Sequence, residues 1–299
     1  MLHNILLTLS LLVCLTVTKT CDTPSATPGN AETECQTDEP VSNQSAPNNA
    51  AASQQAEKAK GEKSGVRISY EMPAERNGEM ILSHTGFTLS YNKANNTPDW
   101  AAWHLTSNHC DGDVERSTKF WADPDLPRPY RVEYYEYKGS GYDRGHMCPA
   151  GDMKWSEKAM HDCFYMSNMC PQTSELNSGA WNKLEMKCRE WAMKEGSLYI
   201  VCGPIYSKSD RETIGIEHAI RVPGRFFKAV LSMRKGHEKA VAFIFRNDDS
   251  SQSYKSAATT VDEVERVTGL DLFHNLDDKT EERVEAQCDI KAFNSSTRL

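Results

Sequence analysis

The chain has 299 residues, 38% of them hydrophobic and 25% charged, with a formal net charge of −8, which is ordinary for a globular protein with one large domain. The acidic balance argues against a protein that is basic throughout, the usual mark of bulk nucleic-acid binding. No CxxC pair occurs, so a structural zinc site is not expected.

In chain order, residues 4–17 form the only long apolar run. At about 14 residues the run is too short to span a bilayer comfortably and has the length of a secretion signal's apolar region. Residues 1–20 are therefore expected to be a signal peptide, although only His3 and the amino terminus place positive charge before the run. Export follows from that expectation, as a secreted, periplasmic or lipid-anchored protein, the anchor being Cys14 or Cys21. Residues 21–66 read as a disordered tether: rich in Ser, Thr, Asn, Gln, Ala and Pro, without an aromatic residue, and with seven acids against three lysines.

Residues 67–299 read as the folded domain with an acidic C-terminal extension. Acids and bases are balanced at 25 each over 67–261, whereas 262–289 carries ten acids against three bases. Seven cysteines lie between Cys110 and Cys288, and in an exported protein some should form disulfides.

Alternating or β-branched segments predict strands at 81–91, 130–137, 162–168, 197–203, 225–233 and 239–246. Helices are predicted over 177–195, ending at Gly196, and over 261–268, with Thr260 as N-cap, Glu263 three residues on and Gly269 after the end. Without a regular βαβ rhythm, the pattern favours an α+β domain built on a mainly antiparallel sheet.

Two segments carry chemistry. Asp143-Arg144-Gly145-His146 supplies a histidine base, a guanidinium suited to phosphate, and a glycine that permits close backbone approach. The run Ser167–Glu185 adds Asn168, Gln172, Asn177 and Glu185. Asn177, Trp181, Glu185 and Arg189 recur every four residues and share one broad helix face. For most helices such a face is solvated around one buried Trp; beside a candidate base, its mixture of amide, carboxylate and guanidinium suggests a site. Asn177 and Glu185 stand about 12 Å apart along a regular helix, too far to share one ion easily. Asn177 is thus the expected direct ligand and Glu185 the residue acting through water. Few protein ligands and retained water suit Mg2+, with Mn2+ as a substitute.

Asp143–His146, followed by Ser167-Asn168-Met169, Pro171-Gln172, Leu176-Asn177, Gly179, Trp181 and Leu184-Glu185, resembles the DNA/RNA non-specific endonuclease family, which includes secreted bacterial nucleases and endonuclease G. The resemblance runs from roughly Tyr70 to Phe273 and takes in Val222–Leu231. It implies a ββα-metal (His-Me finger) active site, with His146 as base, Asn177 as the single direct magnesium ligand and Glu185 acting through water on the metal. Arg144 and Arg189 would support the scissile phosphate, and Asn168 would shape the substrate site. A further arginine is expected upstream, for which Arg116 is the candidate and Lys119 the competitor. Cys148 falls where a small apolar residue is expected, and a buried hydrophobe is its better reading.

The expected function is metal-dependent endonucleolytic cleavage of DNA and RNA, leaving 5′-phosphate ends. Two alternatives stand beside it: an inactive nucleic-acid-binding surface protein of the same fold, and a phosphodiesterase acting on a non-nucleic substrate.

Overall fold

A computed structural model describes residues 68–295. The expected signal peptide (1–20) and tether (21–66), with Cys14 and Cys21, lie outside the described residues.

The strands are β1 (Met80–His84), β2 (Phe87–Asn92), β3 (Thr97–Thr106), β4 (Asp143–His146), β5 (Met169–Gln172), β6 (Ser197–Ile205), β7 (Thr213–Ile214), β8 (Ile220–Arg221), β9 (Arg225–Ser232), β10 (Lys239–Arg246) and β11 (Ala258–Thr259). The helices are α1 (Ser107–Cys110), α2 (Glu157–Asp162), α3 (Ser174–Leu176), α4 (Asn182–Glu195), α5 (Val261–Thr268), α6 (Asp278–Glu285) and α7 (Ile290–Asn294). Seven strands form one sheet in the order β1-β2-β3-β6-β9-β10-β11, and every neighbouring pair in it is antiparallel. The ribbons β4-β5 and β7-β8 stand apart from it. The α+β class with a mainly antiparallel sheet is as the sequence suggests.

Both faces of the sheet are covered, because successive side chains along a strand point to opposite sides. In β9, Phe226 and Val230 join the cluster under α4, with Leu184, Cys188 and Trp191. Phe227, Ala229 and Leu231 join the opposite cluster, with Val261 and Val264 of α5 and Val284 of α6. Strands β3, β6 and β10 divide in the same way. The result is three layers, with α4 on one side and α5 and α6 on the other.

The strands at 197–203, 225–233 and 239–246 and the helix at 261–268 form as expected. Residues 81–91 instead make a hairpin, β1 and β2, turning at Thr85-Gly86. Gly86 has φ +91°, and a Cβ there would lie 2.8 Å from Met153 Sδ. Residues 130–137 are not a strand. They contain 3-10 turns ending at Tyr130 and spanning Tyr134–Tyr137, because the Glu136 carboxylate turns back to accept the Glu133 N–H and those of Glu217 and His218. Residues 162–168 comprise the end of α2 and a 3-10 turn, Met166–Asn168. The longest of the unanticipated strands is β3, central in the sheet, with Trp100 and Trp103 buried on opposite faces.

The expected disulfides are absent among the described residues. All seven cysteines, Cys110 to Cys288, are free thiols. Several are satisfied in other ways: Cys163 Sγ donates to the Met160 carbonyl at 3.2 Å and Cys202 Sγ to that of Met147 at 3.2 Å. Cys148 is fully buried, as expected for a small hydrophobe at that position.

Candidate active site

The ribbon β4-β5 carries the first half of the site. Gly145 pairs with Cys170 and His146 with Met169. The approach at Gly145 is close: a Cβ there would stand 2.4 Å from Gln172 Oε1 and 2.7 Å from Gln172 Cβ, so a side chain has no room. Beyond His146, Asn168 grips the next stretch of chain. Its Oδ1 accepts the Cys148 N–H at 2.9 Å, while Nδ2 donates to the carbonyls of Cys148 (2.9 Å) and Cys163 (2.8 Å). Asn168 is fully buried and does not line the cavity.

The His146 ring packs edge-on to Phe164, 4.7 Å between centroids, and tilts against Phe120 at 5.8 Å. It is 7% exposed, and its Nε2 has no hydrogen-bond partner. Burial, and then the nearby Arg116 guanidinium, hold its pKa down to about 3, against a hydrogen bond with the Arg144 backbone that lifts it. The imidazole is therefore neutral near pH 7, with an uncommitted buried nitrogen.

The second half comes from the segment after β5. Residues Asn177–Trp181 form one widened, π-type turn between α3 and α4, with Gly179 at φ −92°, ψ −106°. Such insertions are frequent at functional sites. The helix foreseen over 177–195 thus becomes regular only at Asn182. Asp143 ties the two halves together: its Oδ2 accepts from Asn177 Nδ2 at 3.0 Å and its Oδ1 from Ser174 Oγ at 2.9 Å. With Nδ2 committed, Oδ1 is the Asn177 atom left for a ligand. Trp181 Nε1 donates to the His146 carbonyl at 3.3 Å, a further strut from helix to ribbon.

A cavity of about 270 Å3 opens where these halves meet, lined by Arg116, His146, Pro149, Ala150, Asn177, Asn182 and Glu185. Burial pushes the Glu185 pKa up to about 7, with Asp152 adding to the rise while Lys228, Arg189 and Arg116 pull it down. Lys228 is 1% exposed. Its Nζ lies 4.0 Å from Glu185 Oε1, over the rings of Trp181 (4.3 Å) and Trp103 (5.2 Å), with no hydrogen-bond acceptor.

Of the sequence candidates, His146, Asn177, Glu185 and Arg116 meet at this cavity; the remaining ones stand off it. Arg144 donates from Nε and Nη2 to the Tyr134 carbonyl (3.1 and 2.7 Å) and lies over Phe120. Arg189 pairs with Asp152 Oδ1 at 2.8 Å, packed over Gly151, and Asp152 also accepts from Trp103 Nε1. Lys119 is exposed and is not among the lining residues. Sequence reasoning passed over Asn182, one turn before Glu185, and the cation Lys228, although the period of β9 puts Lys228 on the face of Phe226 and Val230.

His84, Asp123 and Asp125 bring ligand atoms within 4.8 Å of one another. Both Asp123 oxygens are already engaged there, Oδ2 by His84 Nε2 (3.0 Å) and the Ser167 hydroxyl, Oδ1 by the Asp125 N–H (2.9 Å). The cavity instead presents an amide oxygen and a carboxylate, which fit a hard cation with water around it, and leaves the orphaned His146 nitrogen free for a proton.

Residues 63–279 match the family described as DNA/RNA non-specific endonuclease, and the chain belongs to that family. It is 33% identical over 218 residues to "Nuclease EXOG, mitochondrial" of Xenopus laevis, covering 67% of this chain and 60% of that protein. It is 35% identical over 211 residues to "Mitochondrial nuclease" of Saccharomyces cerevisiae, with 64% of each covered. To "Endonuclease G, mitochondrial" of Caenorhabditis elegans it is 32% identical over 215 residues, covering 67% of this chain and 70% of that one. Among solved structures, a chain in the crystal structure of the EndoG/EndoGI complex superposes with a TM-score of 0.64 at 29% identity, covering 71% of this chain and 91% of that one. The chain thus spans about 60% of the length of the Xenopus relative. These relatives are mitochondrial by name, which overturns the expectation of a secreted, periplasmic or lipid-anchored protein.

Proposed function

We propose that this chain is a metal-dependent endonuclease of mitochondria that hydrolyses phosphodiester bonds of DNA and RNA and leaves 5′-phosphate ends. The observation that carries the reading is the meeting, in one cavity, of His146 with its unpaired Nε2 and of Arg116, Asn177 and Glu185.

Each side chain takes a role its surroundings suit. His146 Nε2 accepts a proton from water, whose oxygen attacks phosphorus as the P–O3′ bond breaks; the proton stays on the imidazole and O3′ is protonated from solvent. Arg116, the guanidinium lining the cavity, grips a non-bridging phosphate oxygen. Its positive charge lowers the His146 pKa, so an incoming phosphate that offsets this charge lifts the base back toward the neutral range. Asn177, through Oδ1, and Glu185, through water, would hold Mg2+ or Mn2+, which supplies Lewis-acid stabilisation of the charge developing on the phosphate. Asn168 positions the chain after His146. Arg144 and Arg189, held by Tyr134 and Asp152 away from the cavity lining, would have to exchange those partners to reach the scissile phosphate.

Digestion of plasmid DNA and of a long RNA, with Mg2+ and with EDTA, tests the activity. Cleavage of both that stops with EDTA is expected, and EDTA-resistant cleavage would refute it. His146→Ala should lower kcat by about two to four orders of magnitude with DNA binding retained. Asn177→Ala should instead raise the Mg2+ needed for half-maximal rate. The reverse pattern would exchange the assignments of base and ligand.

A further inference from the structure

On the sheet face opposite the cavity, α5 and α6 bring three carboxylates together. Asp262, Glu265 and Glu285 place one ligand oxygen each within 4.8 Å of the others, a span that two oxygens on opposite sides of a Ca2+ ion occupy. Asp262 is exposed and Glu265 half-buried. Glu285 is 5% exposed, and its buried Oε1 has no hydrogen-bond partner.

Every local factor disfavours a bare carboxylate there. Glu285 is the last residue of α6, where the helix presents partial negative charge. Two basic residues of these helices are engaged elsewhere, Arg266 with Glu263 and Arg283 with Glu238. Glu265 is fixed by the Leu272 N–H donating to its Oε1 at 2.6 Å, which leaves Oε2 for a ligand. Burial and then Glu265, Glu281, Asp262 and Asp271 push the Glu285 pKa up to about 9. An uncompensated buried carboxylate is costly, so something must neutralise it.

We propose that Asp262, Glu265 and Glu285 form a site for a hard divalent cation, Ca2+-like in its demands, that fastens α6 to α5. Hard oxygen donors and an open, exposed side for water suit such an ion. The site draws on both sides of the family match, since α5 lies inside residues 63–279 and Glu285 beyond them. Its consequence is stability of the C-terminal layer, with the cavity chemistry untouched.

The test is thermal unfolding of the full chain, stripped with EDTA and titrated with Ca2+. The Asn177→Ala background is run in parallel to remove binding at the cavity. At a hundredfold excess over Kd the expected rise in Tm is about 5–10 °C, in the wild type and in Asn177→Ala alike. Glu285→Gln should abolish the rise, increase the Tm in EDTA and keep wild-type nuclease activity in Mg2+. Asp262→Asn, at an exposed position that folding tolerates, should shift the Ca2+ midpoint upward about tenfold. A wild-type Tm that ignores Ca2+ but climbs as the pH falls from about 9 would mean a shared proton in place of a cation, and would overturn the proposal. So would a Ca2+ response lost in Asn177→Ala and retained in Glu285→Gln, or one left intact by Asp262→Asn.

Discussion

Lys228→Met cuts the ion pair with Glu185 while keeping the length and most of the volume of a side chain that is 1% exposed. At 4.0 Å the pair interacts by about 4 kcal/mol at an effective dielectric constant of about 20, equal to about three pKa units. Glu185 is 12% exposed toward the cavity, and water there screens the pair, leaving a shift of about one to two units. The sign follows from the causes: Lys228 lowers a pKa that burial and Asp152 raise to about 7, so its loss moves that pKa higher still. At pH 7 the Glu185 carboxylate passes from about half ionised to almost wholly protonated, and a metal must then compete with the proton. The half-saturating Mg2+ concentration should rise about fivefold to fiftyfold near pH 7. The acidic limb of the rate profile should move up by about one to two pH units, with kcat at saturating Mg2+ changed less than about threefold. Initial rates on plasmid DNA over a grid of Mg2+ and pH measure all three. Lys228→Arg, which keeps the charge, should stay nearer the wild type. A Met variant with the wild-type Mg2+ midpoint and acidic limb would reduce Lys228 to a packing residue and refute the reasoning.

Gly145→Ala drives a Cβ to 2.4 Å from Gln172 Oε1, so it should cost about 1–3 kcal/mol, seen as a Tm lowered by about 2–10 °C. If the ribbon yields by even about 1 Å, kcat should fall about a hundredfold as well; an alanine variant with normal Tm and kcat would show the strands can part freely. Glu136→Gln removes a buried carboxylate that accepts from the Glu133, Glu217 and His218 N–H groups and pairs with His218 Nδ1. The loss should be about 1–3 kcal/mol at pH 7 by chemical denaturation. Burial would raise the Glu136 pKa, but the hydrogen bonds from Glu133 and His218 take it below 4.5. This stabilisation is therefore present above about pH 4.5 and lost as pH falls through the lowered value, so the two proteins should converge in acid and diverge toward neutrality.

The candidate site was legible because most of its residues are local in sequence. Asp143–His146 and Asn177–Glu185 are short segments, and four of the candidates meet at one cavity. The misreadings came from partners far along the chain. Tyr130–Tyr137 alternates like a strand, and what bends it is Glu136 reaching His218, 82 residues on. The central strand β3, Thr97–Thr106, shows no alternation because both of its faces are buried, so periodicity had nothing to find. Arg144 and Arg189 carry the right charge, but Tyr134 and Asp152 hold them off the cavity, which side-chain type alone does not reveal. Lys228 was hidden in an apolar run, where a lysine passes for an interruption. The export expectation rested on hydropathy, which gives the length of an apolar run and not its destination.

Lys228 also bears on how the sheet assembles. Shifting β9 by one residue against β6 or β10 would exchange its two faces and deliver the ammonium into the layer that holds Phe227, Leu231 and Val264. An ammonium there loses its place beside Glu185 and the two indoles, and an unpaired buried cation costs several kcal/mol. A frame-shifted pairing is thereby disfavoured, and the observed register is the one that sets this lysine over two indoles. The residue that biases Glu185 thus also favours the register in which β9 pairs.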